Sequence, residues 1–223
     1  MKGVALILAC LVPLAQAATV EVRGTRDGGF AARVTSVKEA RFTSTIRQQY
    51  DFSCGSAAIA TLLTHHYGVA VSEREVFAQM FEHGDQAKIR KHGFSMLDMK
   101  KYLETRGFQA DGFEQPLEKL EQENLPAIVL LSERGYRHFV VVKGMARGRV
   151  LVGDPAMGTR SISADRFSHL WANHLLFVVH NKREMARFNL ASDWHVAPAA
   201  PLFQAINRDR VLESLPVRRA GAF

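Results

Sequence analysis

The sequence predicts an α+β domain in which helices come first and an antiparallel sheet follows. Two patterns carry that reading. Between Cys54 and Glu123, apolar residues recur at helical spacing behind capping residues, and between Ala127 and Val179 short apolar runs alternate with turn residues. The 223 residues are 47% hydrophobic and 23% charged, enough to pack a core. That composition excludes wholesale disorder and the collagen-like, coiled-coil and low-complexity classes. A net charge of +7 suits an acidic partner or an anionic surface, but names no ligand.

The elements follow in order. Lys2, the apolar stretch Val4–Leu14 and the small residues of Ala15-Gln16-Ala17 form an export signal over residues 1–17, cut before Ala18, which places the mature chain in the periplasm. The apolar run is too short for an anchor, and no later stretch predicts a transmembrane segment. Loss of Lys2 and Cys10 leaves 28 basic against 22 acidic residues, a net charge of +6, and one cysteine, Cys54. A single exported thiol closes no internal disulfide; it pairs with another chain or stays free. Residues 18–44 read as a hairpin or extended arm turning at Gly28-Gly29. Ala58, Ile59, Leu62, Leu63 and His66 share a face of a helix that Gly68 stops. Ser72 with Glu75 predicts a capping box for a helix through Met80 or Phe81, and Ser95 caps another that Gly107 ends. A short helix follows Pro116 to about Glu123. Strands are predicted at 127–131, 139–142, 150–152 and 175–179, with a hairpin turn at Arg147-Gly148 and a helix around Asp165–Trp171. Residues 45–182 thus form the domain. Residues 183–223 form a weakly patterned C-terminal extension with one weak helix near Leu202–Leu212.

Few residues can do chemistry. Cys54 stands where a loop becomes a helix, and unpaired N–H groups at a helix N-terminus favour the thiolate. Gly55 would let a substrate backbone approach. A lone cysteine is as readily a buried structural residue. His138 begins a strand, and Asp154 ends the next one, sixteen residues on. A hairpin across Arg147-Gly148 brings both to the same end, where an aspartate can orient an imidazole and support its charge. Asp154 before Pro155 also fits a plain turn. Gln48 and Gln49 lie upstream of Cys54, and either amide could bind a developing oxyanion. Spacing alone does not choose between them.

Residues 47–68, RQQYDFSCGSAAIATLLTHHYG, resemble the opening of the C39 cysteine peptidases, papain-like domains that cut leader peptides after double-glycine motifs during bacteriocin export. The likeness continues through Gly93–Lys100, Pro126–Val129, Arg137–Val142 and Val152–Pro155, covering about residues 44–180. It implies a papain-like fold with N-terminal helices packed on an antiparallel sheet. It also implies Cys54 as nucleophile, His138 as base, Asp154 as its orienter and, six residues before the cysteine, Gln48 as oxyanion donor. Ser53 departs from the aspartate that usually precedes the nucleophile. The bacteriocin-type enzymes are heads of membrane transporters, whereas this chain shows neither transmembrane segments nor a Gly-x-x-x-x-Gly-Lys loop. It is similar to stand-alone exported members that accompany secretion machinery, including that of functional amyloid, and the double-glycine preference is not carried over.

Other signals are set aside. His65 and His66 point about 100° apart on a helix and no metal-ligand spacing occurs, so neither metal nor cofactor is expected. Lys88, Arg90, Lys91 and His92 form a basic cluster in an expected loop, read as a solvated face, and the export signal argues against nucleic acid. Trp171 and Trp194 read as packing residues. The expected partners are an exported peptide or protein substrate and secretion-system components. The rival readings are a cysteine amidase acting on cell-wall peptides and a peptide-binding module that has lost turnover.

Overall fold

The computed structural model describes residues 18–22, 30–34 and 36–196. The expected export signal and the expected helix near Leu202–Leu212 lie outside them. Contacts divide the chain into two units at Ala40/Arg41. In the first, β1 (Ala18–Val22) and β2 (Phe30–Val34) pair antiparallel, Ala18 opposite Val34 and Val22 opposite Phe30. A single helical turn, α1 (Val37–Ala40), follows behind a reciprocal cap. Ser36 N–H donates to Glu39 Oε2 and Glu39 N–H to Ser36 Oγ, each at 3.1 Å.

The second unit opens with α2 (Cys54–Thr61), which widens into a π-turn over Leu62–His66. Then come α3 (Glu73–His83), α4 (Gln86–His92), α5 (Met96–Thr105), β3 (Ala110–Glu114) and α6 (Glu118–Glu123). The chain continues through β4 (Ala127–Glu133), β5 (Tyr136–Ala146), β6 (Arg149–Asp154), β7 (Gly158–Ser163), α7 (Ala164–Leu170), β8 (Leu175–Val179) and α8 (Ala191–Val196). Six strands form one antiparallel sheet in the order β3-β8-β4-β5-β6-β7. Two hairpins turn at Arg134-Gly135 and Arg147-Gly148, where both residues have positive φ, the geometry that matches strand twist.

The central strands are apolar on both faces because both faces are covered. Ile128, Phe139, Val141, Phe177 and Val179 pack with Ile59, Leu62, Val76, Met99 and Leu103 of the helices. The alternate residues Val129, Leu131, Val140, Val142, Leu176 and Val178 pack with Leu120, Phe167 and Trp171. Each such side chain contributes about 1.5–3 kcal/mol on burial. Among the described residues no helix is long and apolar enough to cross a membrane.

The structure adds elements that the pattern does not show, and corrects one. Lys88, Arg90, Lys91 and His92, expected in a loop, lie in α4, capped by Asp85, with Ile89 as its sole buried side chain. One apolar anchor in two turns sets no periodicity. Strands β3 and β7 are the sheet's two edges, where polar residues such as Asp111, Arg160 and Ser161 are tolerated and mask the alternation. At α3, Ser72 Oγ accepts the Glu75 N–H at 3.2 Å, but the Glu75 carboxylate pairs with Arg106. The complete capping box is at α5, between Ser95 and Asp98.

Beyond Lys182 the chain returns to the sheet. Arg187 N–H donates to the His66 carbonyl (2.8 Å), His66 Nδ1 meets the Arg187 carbonyl (2.6 Å), and Asn189 N–H donates to the Lys143 carbonyl (2.8 Å). Lys143, where the register of β5 shifts against β6, is fully buried. Its ammonium donates to Ser44 O and Oγ at 2.7 Å each and pairs with Asp193 of α8 at 3.0 Å. Removing one partner leaves a buried charge alone. Asp193→Ala should therefore cost about 3–5 kcal/mol in urea unfolding, and the double replacement Lys143→Met with Asp193→Leu much less. A single substitution costing no more than the double would contradict the account.

His66 gives a second handle. Burial, first, and the nearby Lys143 charge lower its pKa from 6.5 to about 4. The unfolded chain therefore binds more protons between about pH 6.5 and 4, and stability falls as pH drops through that window. By pH 5 the loss is about 2 kcal/mol. His66→Asn, which keeps a donor for the Arg187 carbonyl, should flatten the dependence in urea titrations at pH 7.5 and 5.

Candidate active site

Cys54 is the first residue of α2 and only 8% exposed. Its position is set from both sides. Upstream, Ser53 is buried, and its hydroxyl caps nothing on α2. It accepts the Tyr50 N–H (3.1 Å) and donates to the Tyr50 carbonyl (3.0 Å), fixing the loop that enters the helix. Downstream, a Cβ at Gly55 would lie 3.0 Å from Cβ of Phe94, so the missing side chain makes room for the segment leading into α5.

The thiol also departs from expectation. Burial raises its pKa, and this outweighs the lowering by backbone hydrogen bonds from Phe139, Gly55 and Cys54 itself. The Phe139 contact locates β5. The N–H of the residue after His138 points at the Cys54 sulfur. The thiol is thus held out of water against the N–H of Phe139, and burial opposes the loss of its proton.

His138 Nε2 lies 3.1 Å from Asp154 Oδ2, both side chains buried. An ionised carboxylate only accepts, so Nε2 carries the hydrogen, and in the neutral ring that leaves the lone pair on Nδ1. Nδ1 is buried with no hydrogen-bond partner. Asp154 Oδ1 accepts the N–H groups of Ala156 (2.9 Å) and Met157 (3.2 Å), and Oδ2 also accepts Arg160 Nε at 3.2 Å. Burial pushes this carboxyl up. The His138 hydrogen bond, the His138 and Arg160 charges and the Ala156 N–H together reverse that and hold it below the usual carboxylate range.

Gln48 is partly buried and Gln49 exposed. The Gln48 N–H donates to the Pro155 carbonyl at 3.1 Å, tying its loop to the residue after Asp154. Its Nε2 donates one hydrogen to the Tyr50 carbonyl at 3.0 Å, and an amide has a second to offer. Cys54, His138, Asp154 and Gln48 come together, while Gln49 faces solvent. Two neighbours escaped the sequence reading. Tyr136 stacks on the His138 ring (centroids 5.2 Å, 24°) and donates to the Asp51 carbonyl at 3.4 Å. Its signal was its place two residues before His138. Arg160 had none, being one arginine among many on a polar strand.

The sequence pattern described as Peptidase C39 family matches residues 43–183. This chain belongs to the C39 peptidases. It is 42% identical over 181 residues to the "Probable functional amyloid protease FapD" of Pseudomonas aeruginosa, covering 80% of each chain. It is 30% identical to the Lactococcin-G-processing and transport ATP-binding protein LagD of Lactococcus lactis, over 59% of this chain and 18% of that one. The solved peptidase domain of Streptococcus ComA, a bi-functional ABC transporter, shares its papain-like fold with a TM-score of 0.51 at 21% identity. That match covers 61% of this chain and 97% of the domain. The C39 membership makes the protein a cysteine-type peptidase, a hydrolase.

If the buried Cys54 thiol ionises only by handing its proton to His138, His138→Ala should slow alkylation by iodoacetamide at pH 7.5, since only the thiolate reacts and the variant lacks that base. Equal rates in variant and wild type would separate the two side chains functionally.

Proposed function

We propose that this C39 peptidase is exported to the periplasm and hydrolyses a peptide bond in a secreted protein, as an accessory to a secretion or amyloid-export system. The likeness to a protein named as a functional amyloid protease, extending over four-fifths of both chains, carries this reading. The signal-like residues 1–17 support the compartment.

The geometry supports a role for each residue in the steps of this reading. His138 Nδ1 takes the Cys54 proton, and the thiolate attacks the scissile carbonyl carbon. The oxyanion is met by the second Gln48 Nε2 hydrogen and the Cys54 N–H at the start of α2. His138 then protonates the leaving amine, and the peptide bond breaks to leave a thioester. Water attacks that thioester as His138 takes its proton, and collapse releases the acid and restores the thiol. Asp154 keeps the imidazole in the productive tautomer throughout.

Two experiments test this. Cells carrying Cys54→Ala should export the protein to the periplasm yet accumulate unprocessed substrate; normal processing would end the peptidase reading for that substrate. Gln48→Ala should reduce kcat by about 10²–10³ with KM near normal, because an oxyanion donor acts on the transition state. Gln49→Ala should change little. Equal losses would overturn the assignment of Gln48.

A further inference from the structure

Arg160 is the charged group nearest the site that the peptidase chemistry leaves unused. Its side chain is 16% exposed, and Nη2 lies 3.0 Å and Nε 3.2 Å from Asp154 Oδ2, the same oxygen that His138 Nε2 contacts at 3.1 Å. Its other acidic neighbour, Glu133 of β4, is farther, at 3.9 Å, and is shared with Arg166 at 2.5 Å. Asp154 Oδ1 is taken by two backbone N–H groups, so two cationic or potentially cationic partners share Oδ2.

We infer that Arg160 is a positioning residue that neutralises Asp154, so that His138 faces a partner with almost no net charge and the Cys54 proton stays on sulfur until substrate arrives. This rests on the proposed pairing of Cys54 with His138. A bare carboxylate 3 Å from an imidazole in a buried site strongly favours the imidazolium, and hence the thiolate. A guanidinium on the same oxygen cancels most of that preference while leaving the hydrogen bond intact. The Asp154–Arg160 pair then acts as the neutral asparagine does in papain-like Cys-His-Asn sites. The groups facing the His138–Asp154 pair are Cys54 from α2, Tyr136 on the ring from β5, and Arg160 from β7 with Glu133 of β4 behind it.

A structural role for Arg160 predicts that its removal lowers Cys54 reactivity or leaves it unchanged. Neutralisation predicts the reverse. With iodoacetamide as probe, Arg160→Gln should alkylate about tenfold faster than wild type near pH 7, a change of about one pH unit in the proton equilibrium. Arg160→Lys, which keeps the charge, should stay near the wild-type rate. Asp154→Asn should slow alkylation, because Arg160 then faces the forming imidazolium with no anion between them. Adding Arg160→Gln to Asp154→Asn should recover about tenfold. If Arg160→Gln does not fold, Arg160→Met keeps the aliphatic stem and replaces it in both comparisons. The inference is overturned if the charge-removing variant is no faster than wild type at any pH between about 5 and 9, or if the double variant is no faster than Asp154→Asn. Alkylation needs no turnover, so its outcome is separate from the processing test on Cys54→Ala, which judges the peptidase reading.

Discussion

The carboxylate of Asp154 is buried and meets donors on both oxygens: two backbone N–H groups of its own turn, the His138 ring and the Arg160 guanidinium. A buried carboxylate is tolerated only when so fully bonded, and that need organises the site. It draws the mouth of β5 against the end of β6, holds the turn 154–158 in one shape, and presents the Pro155 carbonyl to which the Gln48 N–H is tied. Cys54 meets this assembly from the other direction, at the start of a helix packed against β5. Cys54 is therefore placed by apolar packing and His138 by polar bonding. Neither alone would bring the two together.

Lys143 and Asp193 obey the same rule on the opposite side of β5. A charge removed from water there is matched by Asp193, ten residues past the end of the family's matched segment at residue 183. Arg187 and Asn189 add main-chain bonds to His66 and Lys143. The segment after Lys182 thus completes the core of the peptidase unit, although little in its composition announces this.

Legibility in the sequence tracks burial. The strands through Ile128, Val141, Val152 and Phe177 are covered on both faces and leave apolar runs that cannot be missed. The edges β3 and β7 and the helix α4 follow from pairing partners and from a single anchor, Ile89, which local pattern does not encode. At the site, the spacing of His138 and Asp154 and the turn at Arg147-Gly148 are local facts, so their meeting was foreseeable. The Arg160 contact depends on how β7 folds back onto β6, and the raised Cys54 thiol depends on how deeply α2 starts. Both are tertiary quantities. Gly55 was legible as a constraint but not in kind, since the atom it avoids belongs to Phe94, some forty residues away.

The polar edges have a consequence of their own. Strand β3 carries Asp111, Gly112 and Glu114, and β7 carries Thr159, Arg160, Ser161 and Ser163, so both rims of the six-stranded sheet are poor templates for an incoming extended chain. Fibre-forming polypeptides grow by adding strands to exposed hydrogen-bonding edges, and a flat apolar rim would invite them to grow from the enzyme itself. A peptidase acting on the clients proposed above would have to bind them at its active site without nucleating them at its margins. Charge and glycine at the rims would keep those two kinds of contact apart.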